Sequence, residues 1–496
     1  MTLARRAVAL AALALAALAR SGPAAAAPQG PFGQPEVAVS SKDRVYSADQ
    51  TSNTVSVIDP ARNALLGVIK LGDPVPGSLG AIYKGALLVH GLGYAPDGKT
   101  LAVVSVGSNG VTLIETATNA VKGTVYVGRA PHEAAFTPDG REVWVTVRGE
   151  NYVSVIDPAA LRETRRIPVA NGPGMVAFRP DGKYAFVCSS FSPELAVVDV
   201  KTHEVVARQP QGSPFSPNVA VTPEGDEVWL TLKDSARVQI FSAEPPFAAK
   251  GTIDTGPITN HVNFATNASG RFAYVTVGGV NQLKAFRRGP KPELVATVPV
   301  GDLPHGLWPS GDGTRVYVAI ENGSKVQAVD TLKNQVVGEV GIGQTAQALV
   351  YVPNAVPSGP GTDRLVPLGA AASTARLELA APPGAELSQA RASAAVNSLG
   401  LLDLVQIAAS GLAPKAEYRV WLSDAPKPPF GELVPLATLR TQPDGAGVAQ
   451  AVGPLKAVAQ TAADAGKTAS RRYLVVSTPG EPAKPVLLQV GEVSTR

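Results

Sequence analysis

The stretch VWVTVRGENYVSVIDPAAL (143–161) decides the fold, because closely similar stretches recur along the whole chain. It holds two runs of apolar, largely β-branched residues separated by the polar turn RGEN (148–151), a pattern typical of a β-hairpin. Six further windows of 19 residues align with it without a gap, at 45–63, 101–119, 185–203, 228–246, 273–291 and 316–334. Their starts lie 56, 42, 42, 43, 45 and 43 residues apart, a period that predicts a repeat architecture with one supersecondary unit per repeat.

Each repeat contains two further strand-like runs. A short apolar run that ends in a turn such as FTPDGRE (136–142) precedes most windows, and a fourth run such as AVKGTVYVG (120–128) follows. Four short antiparallel strands per unit, repeated seven times, predict a seven-bladed β-propeller over residues 36–356. The run AQALVYVPN (346–354) follows the last unit, and we expect it to complete the N-terminal blade and close the ring.

The repeated motifs carry a family resemblance. AYVTV (273–277), VWVTV (143–147), VYVAI (316–320) and VSVIDP (55–60 and 153–158) closely resemble the YVTN-type β-propeller repeat of bacterial and archaeal exported and surface proteins. The resemblance implies the propeller fold over about two thirds of the chain. It leaves the function open, because relatives include binding and surface proteins, and more distant propellers include lactonases, haem d1 reductases and copper enzymes.

The repeat stops before a Pro/Gly-rich linker at 357–369. Residues 370–496 then show separate strand-like runs such as YRVWLS (418–423) and YLVVST (473–478), which predict a small antiparallel β-sandwich-like domain. This second region has no histidine, no cysteine and no recognisable catalytic motif, so it is interpreted as an accessory module.

Composition and charge limit the function classes. The chain has 496 residues and a single cysteine, Cys188, which excludes a disulfide framework and covalent haem attachment. Residues 1–27 combine Arg5 and Arg6, an apolar run and small residues, which predicts a cleaved signal peptide and export to the periplasm or cell surface without a transmembrane anchor. The remaining chain has 41 basic and 40 acidic residues, so no nucleic-acid partner is expected. We expect a monomer whose small ligand or protein partner the sequence does not identify.

The histidines mark a candidate site. His90, His132 and His305 share one register, four residues before the end of the first-strand run, and His261 lies one position off it. In a propeller this register falls at the mouth of the central channel. The candidate ligand-binding residues are therefore His90, His132, Glu133, Asn218, His261, His305 and Gln347. His203 and Cys188 fall elsewhere in the repeat and are interpreted as a solvated turn residue and an inert buried thiol.

Three functions stay open at this stage. The leading hypothesis is a non-enzymatic binding or scaffold protein, because motifs such as G-x-S-x-G, H-E-x-x-H and the Walker loop are missing and no catalytic residue is predicted. A second hypothesis is a metal-binding or redox protein that holds copper or zinc with His90, His132, His261 and His305, since imidazole suits both metals. A lactonase-like hydrolase is a further alternative, although no acid–base pair is identified. Histidine at this register is also compatible with simple packing between blades.

Overall fold

The computed structural model describes residues 38–71, 87–369, 374–399, 402–460, 471–481 and 484–495. The predicted signal peptide at 1–27 and most of the insertion that lengthens the first repeat step lie outside these residues. The described residues form strands and two short 3-10 helices, Gly278–Val280 and Glu321–Gly323, with no α-helix among them. No helix in this part of the chain is long and apolar enough to cross a membrane.

Seven four-stranded antiparallel sheets form the blades of a propeller. Blade 1 contains β1 (Arg44–Asp49), β2 (Thr54–Asp59), β3 (Ala64–Lys70) and β28 (Ala346–Val352). Blade 2 contains β4 (Val89–Tyr94), β5 (Thr100–Ser105), β6 (Gly110–Glu115) and β7 (Ala120–Tyr126). Blade 3 contains β8 (Pro131–Phe136), β9 (Val143–Val147), β10 (Tyr152–Asp157) and β11 (Arg162–Pro168). Blade 4 contains β12 (Pro173–Phe178), β13 (Tyr184–Ser189), β14 (Glu194–Asp199) and β15 (Glu204–Pro210).

The remaining three blades continue in chain order. Blade 5 contains β16 (Val219–Val221), β17 (Glu227–Leu232), β18 (Arg237–Ser242) and β19 (Ala249–Asp254). Blade 6 contains β20 (Thr259–Asn267), β21 (Gly270–Val277), β22 (Gln282–Arg287) and β23 (Glu293–Pro299). Blade 7 contains β24 (Pro304–Pro309), β25 (Arg315–Ile320), β26 (Lys325–Asp330) and β27 (Gln335–Gly341). Each inner strand contacts the inner strand of the next blade, from β4 round to β28 and back to β4, so the ring is closed.

Closure occurs in blade 1, as the sequence predicted. β28 pairs antiparallel with β1, with Tyr46 opposite Val350. Asp43 secures this junction: one carboxylate oxygen accepts a hydrogen bond from the Tyr351 hydroxyl at 2.5 Å, and the other accepts one from the Asn354 amide at 2.8 Å. The propeller therefore has no open inner strand, which removes a sheet edge that would otherwise invite pairing with other chains.

Large aromatic side chains fill the space between blades. Trp144 on β9 and Trp229 on β17 are fully buried, as expected for blade-core residues. Trp144 packs edge-on against Phe178 of blade 4, and Trp229 packs in the same way against Phe264 of blade 6. Each such pair joins one blade to the inner strand of the next, so burial of apolar area stabilises the ring as well as each sheet.

The C-terminal domain is a single eight-stranded antiparallel sheet that curls into a nearly closed barrel, because its two edge strands contact each other. Its strands are β29 (Thr374–Ala380), β30 (Arg391–Ser398), β31 (Asp403–Ser410), β32 (Glu417–Ser423), β33 (Leu433–Arg440), β34 (Gly447–Gly453), β35 (Tyr473–Ser477) and β36 (Pro485–Thr495). Buried Leu377, Val405, Val420 and Leu474 lie in its core. The prediction of an all-β chain with a propeller followed by a small antiparallel β domain is confirmed, with one curled sheet where two packed sheets were expected.

The C-terminal domain covers the face of the propeller on which the inner strands begin. Gln406 of β31 donates hydrogen bonds to Glu321 Oε1 at 2.6 Å and to Asn322 Oδ1 at 3.0 Å in blade 7. Arg376 forms an ion pair with Asp302 at 2.9 Å. Small apolar contacts accompany these polar ones, with Ile258 and Leu303 against Ala408 and Ala446. The accessory module therefore lies directly over the channel.

Candidate functional site at the mouth of the propeller channel

Two rings of side chains surround the start of the channel. The mouth ring consists of the residue at the predicted histidine register in each blade: His90, His132, Gly174, Pro217, Asn260, His305 and Gln347. The inner ring consists of the residues that directly follow: Gly91, Glu133, Met175, Asn218, His261, Gly306 and Ala348. His261 belongs to the inner ring, which explains its one-residue offset in the sequence.

A β-bulge at the same place in the inner strands separates the two rings. In blade 2, Val89 pairs with Ser105 while Leu92 pairs with Val103, so the inner strand has one extra residue between them. The same shift occurs at the start of β8, β12, β20, β24 and β28. Bulges leave a residue unpaired and change the direction of its side chain. A mouth-ring residue and the inner-ring residue after it can therefore both face the channel axis.

A threonine hydroxyl occupies the gap that a bulge leaves. Thr146 on β9 accepts a hydrogen bond from the Glu133 amide at 3.2 Å and donates one to the Gly174 carbonyl of the next blade at 3.0 Å. Thr276 does the same in blade 6, accepting from the His261 amide and donating to the His305 carbonyl. The threonine of the VTV motif thus connects neighbouring blades at the channel mouth. Cys188 takes this position in blade 4, where it is buried and its thiol pKa is raised by burial to about 11, as suits an inert thiol.

Four imidazole rings form an arc around the mouth. Ring centroids are 4.3 Å apart for His132 and His90, 6.2 Å for His90 and His305, and 4.9 Å for His305 and His261. The four rings are thus brought into one row. Among the described histidines and carboxylates, the ligand atoms that gather within 4.8 Å of one another belong to His90, His132 and Glu133. His261 and His305 are not part of that group.

Backbone carbonyls fix the orientation of two of these rings. Nδ1 of His132 donates to the Gly174 carbonyl at 2.7 Å, and Nδ1 of His305 donates to the Gln347 carbonyl at 3.0 Å. A carbonyl only accepts, so in both rings Nδ1 carries the proton and Nε2 is the acceptor.

His261 has the opposite tautomer. Asn218 Oδ1 accepts the Val262 amide at 2.9 Å, so the Asn218 amide group donates to His261 Nδ1 at 3.3 Å. The remaining proton of His261 is therefore on Nε2, which is buried without a hydrogen-bond partner.

Burial keeps three of these imidazoles neutral. It lowers the pKa of His132 and of His305 well below the ordinary value of 6.5, and neighbouring positive charge or histidine adds to the effect in each case. Burial also lowers the pKa of His261, to about 3. A neutral imidazole keeps one ring nitrogen unprotonated, and that nitrogen is able to accept a hydrogen bond or bind a metal ion.

A cavity of about 280 Å³, which we call the chamber, lies between the mouth ring and the C-terminal domain. His90, His132, Pro217, His305 and Gln347 line it from the propeller. Gln406, Arg440, Gln442 and Gln450 line it from the C-terminal domain. A second cavity of about 70 Å³, the channel cavity, lies further along the axis and is lined by the inner-ring residues Glu133, Met175, Asn218, His261 and Ala348 together with apolar side chains.

Three charged residues of the chamber occupy one position of the repeat window, which the sequence analysis did not include among the candidate site residues. Arg148, Lys233 and Glu321 line the chamber, and each is the sixth residue of its repeat window. Burial lowers the pKa of Arg148, and it lowers that of Lys233 to about 8. Arg148 also lies over the rings of Phe191 and Phe215, at 5.5 and 5.6 Å from their centroids. Comparing the sixth window position across the repeats would have identified these residues, whereas nothing in the sequence connects the glutamines of the C-terminal domain to the mouth.

The fold and site define the protein as a seven-bladed β-propeller whose channel mouth is covered by a second β domain. A family model described as "Lactonase, 7-bladed beta-propeller" matches residues 127–348. Among solved structures, the chain resembles the periplasmic gluconolactonase of Pseudomonas aeruginosa with a TM-score of 0.50 and 20% identity, over 63% of this chain and 99% of that one. It also resembles a functionally unknown protein from Desulfotomaculum acetoxidans DSM 771 with a TM-score of 0.52 and 14% identity, over 62% and 98% of the two chains. No curated protein matches the sequence. At these identities the structural likenesses support the propeller fold.

Proposed function

We propose that this chain hydrolyses a lactone, a cyclic ester, inside the chamber. The observation that carries the proposal is that His305, a neutral imidazole with Nε2 as its acceptor, lines the same cavity as the cations Arg148 and Lys233. The match to the lactonase propeller model supports the same activity. The chemistry therefore favours the lactonase-like hydrolase, the last of the three alternatives from the sequence analysis, over a binding role without turnover.

The chamber residues supply what the reaction needs. His305 Nε2 accepts a proton from water as the water oxygen attacks the ester carbonyl carbon. Arg148 and Lys233 stabilise the negative charge that develops on the carbonyl oxygen, and the covering domain strengthens this interaction by limiting solvent. The C–O bond of the lactone ring then breaks. The imidazolium of His305 returns its proton to the leaving alkoxide, and the product is a hydroxy acid.

The test is a pH-stat assay of acid release from glucono-δ-lactone and δ-valerolactone against the buffer rate. We expect acceleration by the wild-type chain and a loss of about 10²–10⁴-fold in His305→Gln, which keeps an N–H donor for the Gln347 carbonyl but removes the imidazole acceptor. His203→Gln is the matched control, because His203 pairs with Glu142 between blades 3 and 4 and neither residue lines the chamber. Equal rates for the His305 and His203 variants, or no acceleration by the wild type with either lactone, would contradict the proposal.

A non-enzymatic binding role remains the second candidate, and the same chamber supports it. Arg148, Lys233 and Arg440 give the chamber an excess of positive charge over Glu321, which favours an anionic ligand. Saturable binding of gluconate without lactone turnover would assign the chamber to binding. We further propose that the chain acts outside the cytoplasm, which depends on the signal peptide predicted at 1–27 and is tested by N-terminal sequencing of the mature protein. We propose that it is a monomer, which light scattering of the purified protein tests.

A further inference from the structure

We infer that His90, His132 and Glu133 form a binding site for a single divalent zinc or copper ion. Nδ1 of His90 and Oε1 of Glu133 face each other at 3.6 Å, on side chains that are 9% and 3% exposed. Both atoms are buried without a hydrogen-bond partner. Buried polar atoms are nearly always paired, because an unpaired one loses its hydrogen bonds to water without gaining others. Two unpaired polar atoms that face each other indicate a place where a ligand or ion binds.

The spacing between these atoms selects the occupant. A direct hydrogen bond would bring them to about 2.7–3.2 Å. A bridging water with two hydrogen bonds of about 2.8 Å would hold its partners about 4.6 Å apart. A tetrahedral metal ion with bonds of about 2.0–2.1 Å places two ligands about 3.4 Å apart. The observed 3.6 Å is closest to the spacing of two metal ligands.

His132 supplies the third ligand. A ring nitrogen of His132 lies within 4.8 Å of a ligand atom of His90 and of a ligand atom of Glu133, so a movement of at most about 1.5 Å brings the three to tetrahedral spacing. The His132 Nδ1–H bond to the Gly174 carbonyl leaves Nε2 as the lone-pair nitrogen. Metal-binding histidines commonly donate their other N–H to a carbonyl or carboxylate in this way. Two imidazoles and one carboxylate suit zinc or copper better than magnesium or calcium, which prefer oxygen ligands.

The bulges explain how adjacent blades assemble this set. His90 and His132 are mouth-ring residues of blades 2 and 3, and Glu133 is the inner-ring residue that follows His132 in the same bulge. Gly91 takes the inner-ring position in blade 2, where a Cβ would lie 2.8 Å from Glu133 Oε2. The absence of a side chain at Gly91 therefore leaves the space that the Glu133 carboxylate occupies beside His90.

A second histidine–glutamate pair in the same chain is joined by direct hydrogen bonds. His203 Nε2 contacts both carboxylate oxygens of Glu142, at 2.9 and 3.1 Å, and the ring stacks on Trp144 at 5.5 Å. These atoms satisfy each other directly. His203 is thus partly buried and paired, in contrast to the solvated turn residue that the sequence predicted. The pair provides a matched control for the metal site.

The experiment measures metal binding by itself, so its outcome is independent of lactone hydrolysis. Untagged, chelator-treated protein would be titrated with Zn²⁺ and with Cu²⁺ by calorimetry and with Co²⁺ as a spectroscopic probe of coordination, and bound metal would be counted by elemental analysis. We expect one ion per wild-type chain, an increase in Tm on adding Zn²⁺, and a loss of at least 10²-fold in affinity for Glu133→Gln and for His90→Gln.

The control variants Glu142→Gln and His203→Gln should bind one ion with unchanged affinity. Circular dichroism and the metal-free Tm establish that each variant is folded, and Glu133→Gln preserves shape, so a folding defect is separable from a lost ligand. The inference is overturned if folded wild-type protein binds neither Zn²⁺ nor Cu²⁺ stoichiometrically. It is equally overturned if Glu133→Gln and His90→Gln, both folded, bind the ion as tightly as the control variants.

Discussion

The mouth ring and the inner ring are neighbours in sequence, yet they face different environments. The mouth ring faces a chamber of about 280 Å³ whose other walls are cations, a carboxylate and the amides of a second domain. The inner ring faces a cavity of about 70 Å³ in which Leu92, Val176 and Leu307 are typical neighbours. One step along a bulged strand therefore separates residues that face the polar chamber from residues that face a largely apolar cavity, and Glu133 is the inner-ring residue that the proposed metal site uses. The differences between the rings lead to separable predictions.

The largest loss of stability is expected from a substitution in the channel cavity. Leu307 on β24 is 2% exposed and lines the channel cavity, and Leu307→Ala should lower the free energy of unfolding by about 2–5 kcal/mol. Urea denaturation measures the loss. At temperatures where the variant is folded, its metal affinity and its lactone turnover per folded molecule should equal those of the wild type. Loss of either property in the folded variant would show that packing at Leu307 also positions the residues of the channel mouth.

A smaller loss is expected where a threonine holds a bulge. Thr146→Val keeps the shape but leaves the Glu133 amide and the Gly174 carbonyl without this partner, which should cost about 1–3 kcal/mol. Its Co²⁺ affinity should also fall, because Glu133 and His132 are positioned by the same bulge. Thr231→Val in blade 5 removes an equivalent hydrogen bond, to the Asn260 carbonyl at 2.9 Å, away from the proposed ligands. It should lose similar stability with unchanged Co²⁺ affinity; equal affinity losses in both variants would argue against local positioning.

The smallest effect concerns the charge of the chamber. Burial lowers the pKa of Lys233 to about 8, so its positive charge is present below pH 8 and is lost as the pH rises through that value. Gluconate affinity measured by calorimetry should therefore fall by about tenfold between pH 7 and pH 9. Lys233→Met should bind gluconate weakly at both pH values. A pH dependence that persists in Lys233→Met would assign it to another group.

The sequence allowed the propeller to be predicted almost completely, because blade formation depends on a local pattern repeated seven times. The spacing located all seven blades, the closing strand 346–354 and the register of His90, His132 and His305. It also identified Glu133, Asn218, His261 and Gln347 as channel-mouth residues. The structure places Gln347 in the mouth ring and the other three one residue further on, in the inner ring that lines the channel cavity.

The charged residues and the cover were missed for physical reasons. Arg148 and Lys233 lie in polar turns, where a charged side chain ordinarily remains in solvent, but here they line a chamber that the C-terminal domain covers. Gln406 and Gln450 belong to strands of the C-terminal barrel, and which face of a barrel meets the propeller depends on long-range contacts such as Arg376 with Asp302. No local pattern encodes such contacts.

The closing blade also bears on how the chain acquires its structure. Asp43 and Asn354 meet at a hydrogen bond although they are 311 positions apart, and β1 cannot gain its inner neighbour until β28 exists. During synthesis from the N-terminus, blades 2 to 7 are able to form in order. Until β28 is made, β1 keeps one edge unpaired. Ring closure is then a long-range step with a large loop-closure entropy, and contacts of such separation are associated with slow folding. The last strand of the propeller thus sets the time at which the N-terminal blade, and with it a complete channel mouth, comes into being.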